Sequence, residues 1–370
     1  MSERDQRSAL PAVRPEWMPS YIPELQGLRG IAVLMVVVYH CHALLEGTWL
    51  HYASLWGWAG VNLFFVLSGF LITSILVEAR GKPHYFRNFY ARRALRIWPV
   101  YVLLLGICYA VPDWFLGDTW AHQTRWQTLV AYALLLQNLR HTVLPGTLGP
   151  TWSLAIEEQY YFVWAPVVWA SGVVTRGRWL SRALHGLLPL TLVAMLVCSP
   201  LTRRLHPHWI TATHTLGHLD GIALGSLLAL GLYHLKLSRR VWLGLGLAAA
   251  VSGWALAATW AGGTAYLDSA LALMFAGVVT AAIAGTGAKN PVSWVLRKGP
   301  LPYYGKISYG LYMMHILVFV YWGSFDARLD HMGVPGHLTI LGLRLVAATL
   351  AATALWYGFE SRILRLKKHF

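Results

Sequence analysis

Apolar residues in this chain do not recur with the period of a half-buried helix or strand; they come in runs long enough to bury a helix on every face. Crossing a hydrocarbon core takes roughly 20 mostly apolar residues. Such runs lie near residues 28–45, 57–77, 94–112, 127–138, 152–174, 184–200, 214–233, 241–261, 265–286, 304–323 and 338–358. The pattern predicts an all-α protein of eleven candidate segments, a polytopic transmembrane helix bundle. Connections are short, with no internal repeat and no linker that would set apart a second folded domain. The expected organisation is a tail over residues 1–24, one transmembrane domain over 25–364 and a basic tail over 365–370.

Composition supports the bilayer as solvent. Of the 370 residues 56% are hydrophobic and 12% charged, where a soluble domain carries about 25% charged residues. This excludes intrinsic disorder and argues against a soluble multi-domain enzyme. The net charge of +15 does not point to nucleic acid, because the basic residues punctuate apolar runs instead of gathering on a hydrated face. Cys41, Cys108 and Cys198 sit far apart inside apolar runs and form neither a disulfide framework nor a metal-ligand spacing. The first apolar run meets no small-x-small cleavage site, so it is expected to be a retained helix.

Charge then tests the span count. Arg80, Lys82, Arg87, Arg92, Arg93 and Arg96 follow the second segment, and Arg176, Arg178 and Arg182 follow the fifth. Lys236, Arg239 and Arg240 follow the seventh, Lys289, Arg297 and Lys298 the ninth, and Arg362, Arg365, Lys367 and Lys368 come last. By the positive-inside rule all these clusters belong in the cytoplasm. Three segments separate the first two clusters, so one of the three should not cross. The stretch 127–138, of re-entrant or interfacial length, is the weakest. Ten spans with both termini cytoplasmic remain.

Ionisable groups inside such spans are costly, which makes each a candidate functional residue. Arg29 and His40 lie eleven residues apart on one predicted helix, close to three turns and roughly 16 Å along its axis, so they share a face. Histidine is the usual general base near neutral pH, and arginine suits a phosphate. A snorkelling arginine and a histidine bonding across helices explain the same spacing. Arg93 and Arg96, three apart, project from one face at a cytoplasmic helix start; a polyphosphate clamp and a basic anchor both fit. Glu157 and Glu158 point about 100° apart, so at most one serves a given site. In the ten-span topology Glu157 falls in the same outer half as His40, where a carboxylate can orient an imidazole; a buried structural ion pair is the other reading. His218, Asp220, Asp268, Ser308, Tyr309, Tyr312, His315 and Glu360 read individually as interhelical hydrogen-bonders. Asn62 and Ser68 carry a weaker signal still.

Taken in order, these strings resemble the acyltransferase 3 family of integral membrane acyltransferases, bacterial enzymes that modify sugars, envelope polymers and some small molecules. The resemblance runs from Leu25 to about Leu364. It rests on Arg29-x10-His40, the string Phe64-Phe65-Val66-Leu67-Ser68-Gly69-Phe70-Leu71-Ile72-Thr73, and Arg93-x-x-Arg96 before Ile97 and Pro99. Trp152-Ser153-Leu154 before Glu157, and Ser308-Tyr309 before Tyr312 and His315, complete it. Three features depart from the family pattern. His218 stands two positions before Asp220, where the family often has an arginine, and Phe359-Glu360-Ser361-Arg362 lacks the common Glu-Arg-Pro order. With no hydrolase-like extracytoplasmic domain in the sequence, acyl hand-off to one within it is not expected.

The resemblance implies a multi-pass O-acyltransferase of a bacterial inner or plasma membrane, moving an acyl group, acetyl by expectation, from a coenzyme A thioester to a hydroxyl of a sugar, envelope glycan or glycolipid. Arg93 and Arg96, helped by Arg29, would bind the donor's phosphates. His40 would be the general base and Glu157 its orienting carboxylate. Ser153, Tyr309, Tyr312 and His315 are candidates for substrate or oxyanion contacts. No metal and no permanently bound cofactor are expected; acyl-CoA is the co-substrate, the acceptor and the bilayer are the other partners, and nucleic acid is not one. A carrier or flippase for a charged or glycosidic substrate, with the same ionisable groups lining its path, is the competing class. A sensor on an inactive acyltransferase scaffold is a third reading, disfavoured because the motif polar residues are present.

Overall fold

The computed structural model describes residues 14–110, 122–139, 146–172, 178–206, 213–259, 265–329 and 333–370, and among them every regular element is helical. The helices are α1 (Pro23–Tyr39), α2 (Trp49–Leu55), α3 (Gly60–Ala79), α4 (Tyr85–Ala110), α5 (His122–Ala133), α6 (Thr151–Ala170) and α7 (Arg178–Leu205). They continue with α8 (Leu219–His234), α9 (Arg239–Thr259), α10 (Leu267–Ala284), α11 (Pro291–Arg297), α12 (Pro300–Leu329), α13 (Gly333–Leu355) and α14 (Ser361–Leu364). Each of the eleven apolar runs overlaps one of these helices. α1 starts five residues before its apolar run because Pro23 opens the first turn and Glu24 faces the helix dipole.

Among the described residues six stretches are long and apolar enough to cross a membrane: Trp49–Ala79, Tyr85–Ala110, Gly186–Leu205, Arg239–Thr259, Leu267–Ala284 and Gly333–His369. Leu219–His234 is apolar but shorter. α1, α6 and α12 fall outside this group, and they are the helices on which the sequence places Arg29, Glu157, Glu158, Ser308, Tyr312 and His315.

Packing divides the chain into two interleaved units. The first contains Asn62–Phe86 and Ala155–Ser293, hence most of α3, most of α6, and α7 to α10. In it α9 and α10 pack so closely that a Cβ on Gly253 would sit 2.3 Å from the backbone nitrogen of Met274, and one on Gly277 2.2 Å from that of Ala250. α3 and α6 run in the same direction, joined by a ladder of polar bonds. The Ser68 and Tyr161 hydroxyls are 2.7 Å apart, Trp164 Nε1 donates to Thr73 Oγ1 at 2.8 Å, and Arg80 donates to the Val168 carbonyl at 3.0 Å. Inside a membrane such bonds replace the hydrophobic effect as helix-to-helix glue.

The second unit contains Gln26–Val61, Arg87–Leu154 and Trp294–Phe370. α1 and α12 run parallel in it. A Cβ on Gly30 would lie 2.1 Å from the Leu301 carbonyl oxygen and one on Gly305 1.9 Å from that of Gln26, so only glycine permits this approach. α4 and α5 form an antiparallel hairpin, with Tyr109 and Thr128 hydroxyls at 3.0 Å and Tyr101 donating to the Tyr132 carbonyl at 2.8 Å. Past α13 the chain turns through Trp356–Glu360 and ends with Arg92 donating to the Phe370 carbonyl.

Candidate active site

The close packing of α1 on α12 brings together residues that lie almost 280 positions apart in the chain. At one end Arg29 Nη2 donates to Ser308 Oγ at 3.1 Å. At the other, His40 Nδ1 faces His315 Nε2 at 3.2 Å, with ring centroids 4.9 Å apart. Seven residues of α12 separate Ser308 from His315, roughly 10 Å of rise.

The arginine end is a concentration of positive charge. Lys367 lies within electrostatic reach of Arg93, Arg96, Arg92 and Arg29. Arg96 faces the rings of Tyr309 and Trp356, each with its centroid 5.7 Å from the guanidinium carbon. One carboxylate, Glu360, enters this cluster and pairs with Arg96 at 3.6 Å. It comes this close because Gly310 has no side chain; a Cβ there would lie 2.6 Å from Glu360 Oε1. Neither Glu360 oxygen has a hydrogen-bond partner although the residue is buried. Tyr309, expected among the oxyanion candidates, belongs to this end and donates to the Ile97 carbonyl at 2.6 Å.

The histidine end is neutral and hydroxyl-rich. His40 follows the last residue of α1, and its Nδ1 lies 2.8 Å from the Val36 carbonyl. A carbonyl only accepts, so Nδ1 carries the hydrogen and Nε2 of the neutral ring keeps its lone pair. Nε2 has no protein hydrogen-bond partner among the described residues, and the side chain is half-buried. His315 is fully buried, its Nδ1 lying 2.7 Å from the Tyr312 carbonyl and 3.2 Å from that of Leu311. Ser153, at the start of α6, and Tyr312 share a 2.7 Å hydroxyl contact, and both reach the Pro150 carbonyl, at 3.2 and 3.0 Å. The two hydroxyls and the Pro150 carbonyl thus form one hydrogen-bonded trio.

Glu157 lies one turn beyond Ser153 on α6 but belongs to the first unit. There it accepts from Tyr161 at 2.7 Å, and Tyr161 in turn meets Ser68. Within the second unit His40 Nδ1 meets the Val36 carbonyl and His315 Nε2. Two residues with specific partners were weak or silent in the sequence. Ser68 joins the Tyr161–Glu157 string, and Arg203, at the end of α7, supplies the arginine that Asp220 lacks two positions upstream, pairing with it at 2.8 Å. The surplus of Arg203 and Arg204 beside the acids Asp220 and Asp268 is the signal that could have located this pair. No group of three His, Cys, Asp or Glu suited to a metal occurs among the described residues.

Comparison with known proteins places these residues in context. A family model described as an acyltransferase domain matches residues 22–360. YrhL of Bacillus subtilis is 34% identical over 189 residues, covering 48% of this chain and 28% of that protein. The peptidoglycan O-acetyltransferase OatA of Listeria monocytogenes is 34% identical over 158 residues, covering 39% of this chain and 24% of its own length. The O-acetyltransferase OatA of Staphylococcus aureus is 31% identical over 163 residues, 41% of this chain and 25% of that protein. The matched stretches thus span about a quarter of these relatives. No solved structure matches the chain.

Proposed function

We propose, from the premise that this chain belongs to the acyltransferase 3 family of integral membrane proteins, that it transfers an acetyl group from acetyl-CoA to a hydroxyl of a cell-envelope glycan. The relatives named as acting on peptidoglycan support the acceptor class. The observation that carries the chemistry is the state of His40, with Nδ1 committed to a carbonyl and Nε2 open.

In this reading the acceptor hydroxyl gives its proton to His40 Nε2 as its oxygen bonds the thioester carbonyl carbon. Collapse of the tetrahedral intermediate breaks the carbon–sulfur bond. The imidazolium then returns the proton to the departing thiolate, which leaves as free coenzyme A beside the new ester. Arg29, Arg93 and Arg96 bind the donor's phosphates at the cytoplasmic end, and the thioester arm runs along the α1–α12 seam toward His40.

Ten spans with cytoplasmic termini accompany this mechanism. The parallel run of α3 and α6 supports that count, because α4 crosses between them and a fully crossing α5 would make α6 antiparallel to α3. The parallel run of α1 and α12 fits the same count.

Thiol release from acetyl-CoA by protein in vesicles supplied with peptidoglycan disaccharide fragments tests the proposal. General-base assistance is worth about 10²- to 10⁴-fold, and His40→Ala should lose that much. An undiminished rate overturns the assignment. Movement of the fragments across the membrane without thiol release would instead favour a carrier.

A further inference from the structure

We infer that His315 is the positioning residue for His40, holding the catalytic imidazole through its Nε2. The inference rests on His40 being the base.

Three features of the geometry carry it. First, the direction of the contact is fixed. His315 Nδ1 faces two carbonyl oxygens, at 2.7 and 3.2 Å, so it must bear the hydrogen. The neutral ring therefore turns a lone pair on Nε2 toward His40 Nδ1, 3.2 Å away. Second, the acceptor cannot wander. His315 is fully buried and lies on α12 with its ring against Phe319 in an edge-on contact at 5.7 Å. Third, the remaining acceptor at His40 Nδ1 is the Val36 carbonyl, which belongs to the same helix as His40 and moves with it. Among the described residues only His315 ties the ring to a second helix by a hydrogen bond.

The chemistry follows from this arrangement. When His40 takes the hydroxyl proton at Nε2, positive charge spreads to Nδ1–H, and a donor already shared between the Val36 carbonyl and the fixed lone pair of His315 needs no reorganisation at that moment. A carboxylate at Nδ1 would stabilise the cation more strongly, but its own charge would have to be desolvated in the resting enzyme. A neutral imidazole holds the same tautomer and orientation without placing a charge beside the base.

The test uses the full chain in vesicles, with acetyl-CoA and peptidoglycan disaccharide fragments. Glutamine places an amide oxygen near the position of the imidazole Nε2, whereas asparagine reaches only to Nδ1. His315→Gln should keep kcat within about tenfold of the unmodified protein and His315→Asn should lose about 100-fold, with KM for acetyl-CoA unchanged in both. Both variants lose the packing on Phe319, so a merely structural role would lower them together. Equal kcat in the two variants, or a loss confined to KM, overturns the inference while leaving the role of His40 standing. Full turnover in His40→Ala overturns the underlying reading and the inference with it. In the unmodified protein, ¹⁵N spectra of labelled histidine should show His315 protonated at Nδ1 and bare at Nε2; a protonated Nε2 overturns the inference whether or not the variants fold.

Discussion

Arg203 meets Asp220 at 2.8 Å in the first unit, and Arg96 meets Glu360 at 3.6 Å in the second. Both arginines are largely buried, but their surroundings are opposite. Arg203 donates to the carbonyls of Ala265 and Gly217, to Ser269 Oγ and to Asp220 Oδ2, spending four of its five N–H groups. Ser269 passes its own proton to Asp220 at 2.5 Å, and the Gly221 amide donates to the other carboxylate oxygen at 3.1 Å. Asp220 also lies in the first turn of α8, where the helix dipole favours a negative charge. Glu360 has none of this. It accepts no hydrogen bond, and its arginine is shared with two aromatic faces. Saturated bonding marks a pair that holds the fold. A buried carboxylate that accepts no hydrogen bond marks one that can exchange its arginine for a better anion.

The largest effect expected from this contrast is at Arg203. Removing one partner of a saturated buried pair strands the other, at a cost of about 3–5 kcal/mol. Arg203→Met should therefore lower the midpoint of thermal unfolding in detergent more than any change at Arg96 or Glu360. If Arg203→Met unfolds at the temperature of the unmodified protein, the pair is not a lock and the comparison fails.

Arg96 comes next, and its effect should fall on the donor. A hydrogen bond to a charged group is worth about 1.5–3 kcal/mol, so Arg96→Ala should raise KM for acetyl-CoA about tenfold to a hundredfold. The unfolding midpoint should move far less than in Arg203→Met. A large loss of stability with an unchanged KM would put Arg96 in the same class as Arg203.

Helix positions are legible in the chain because a lipid-facing helix needs no alternation to announce itself; the length of each apolar run suffices. Side-chain partners are legible only where both lie on one helix. The Tyr161–Glu157 bond is an i, i+4 contact of this kind and can be read directly from the spacing. The partner of His40 is not. Spacing along α1 says which face His40 shares with Arg29, but it cannot say which of a dozen other helices meets that face, so a carboxylate was as reasonable a partner as the histidine 275 residues away. The same limit hides Arg203 from Asp220. It also hides Glu360 from Arg96, because that contact depends on the missing side chain of Gly310 on a third helix.

Glu360→Gln gives the smallest expected effect and the sharpest test of the contrast. The substitution removes the negative charge and keeps the shape, so it leaves Arg96 facing Tyr309, Trp356 and an amide. In a saturated pair such a change orphans hydrogen-bond donors and costs several kcal/mol. Here no donor is orphaned, since none donates to Glu360. Stability should therefore fall less than in Arg203→Met, the loss coming only from the counter-charge taken from Arg96. The resting charge of the cluster rises by one, and in the proposed mechanism Arg96 would no longer divide itself between Glu360 and the donor's phosphate. KM for acetyl-CoA should fall, by about twofold to fivefold. The fall should shrink as salt is added, because it comes from charge. If KM rises instead, Glu360 holds Arg96 in its binding posture. The pair would then be a positioning contact, and the division between a locked and an exchangeable arginine would have to be abandoned.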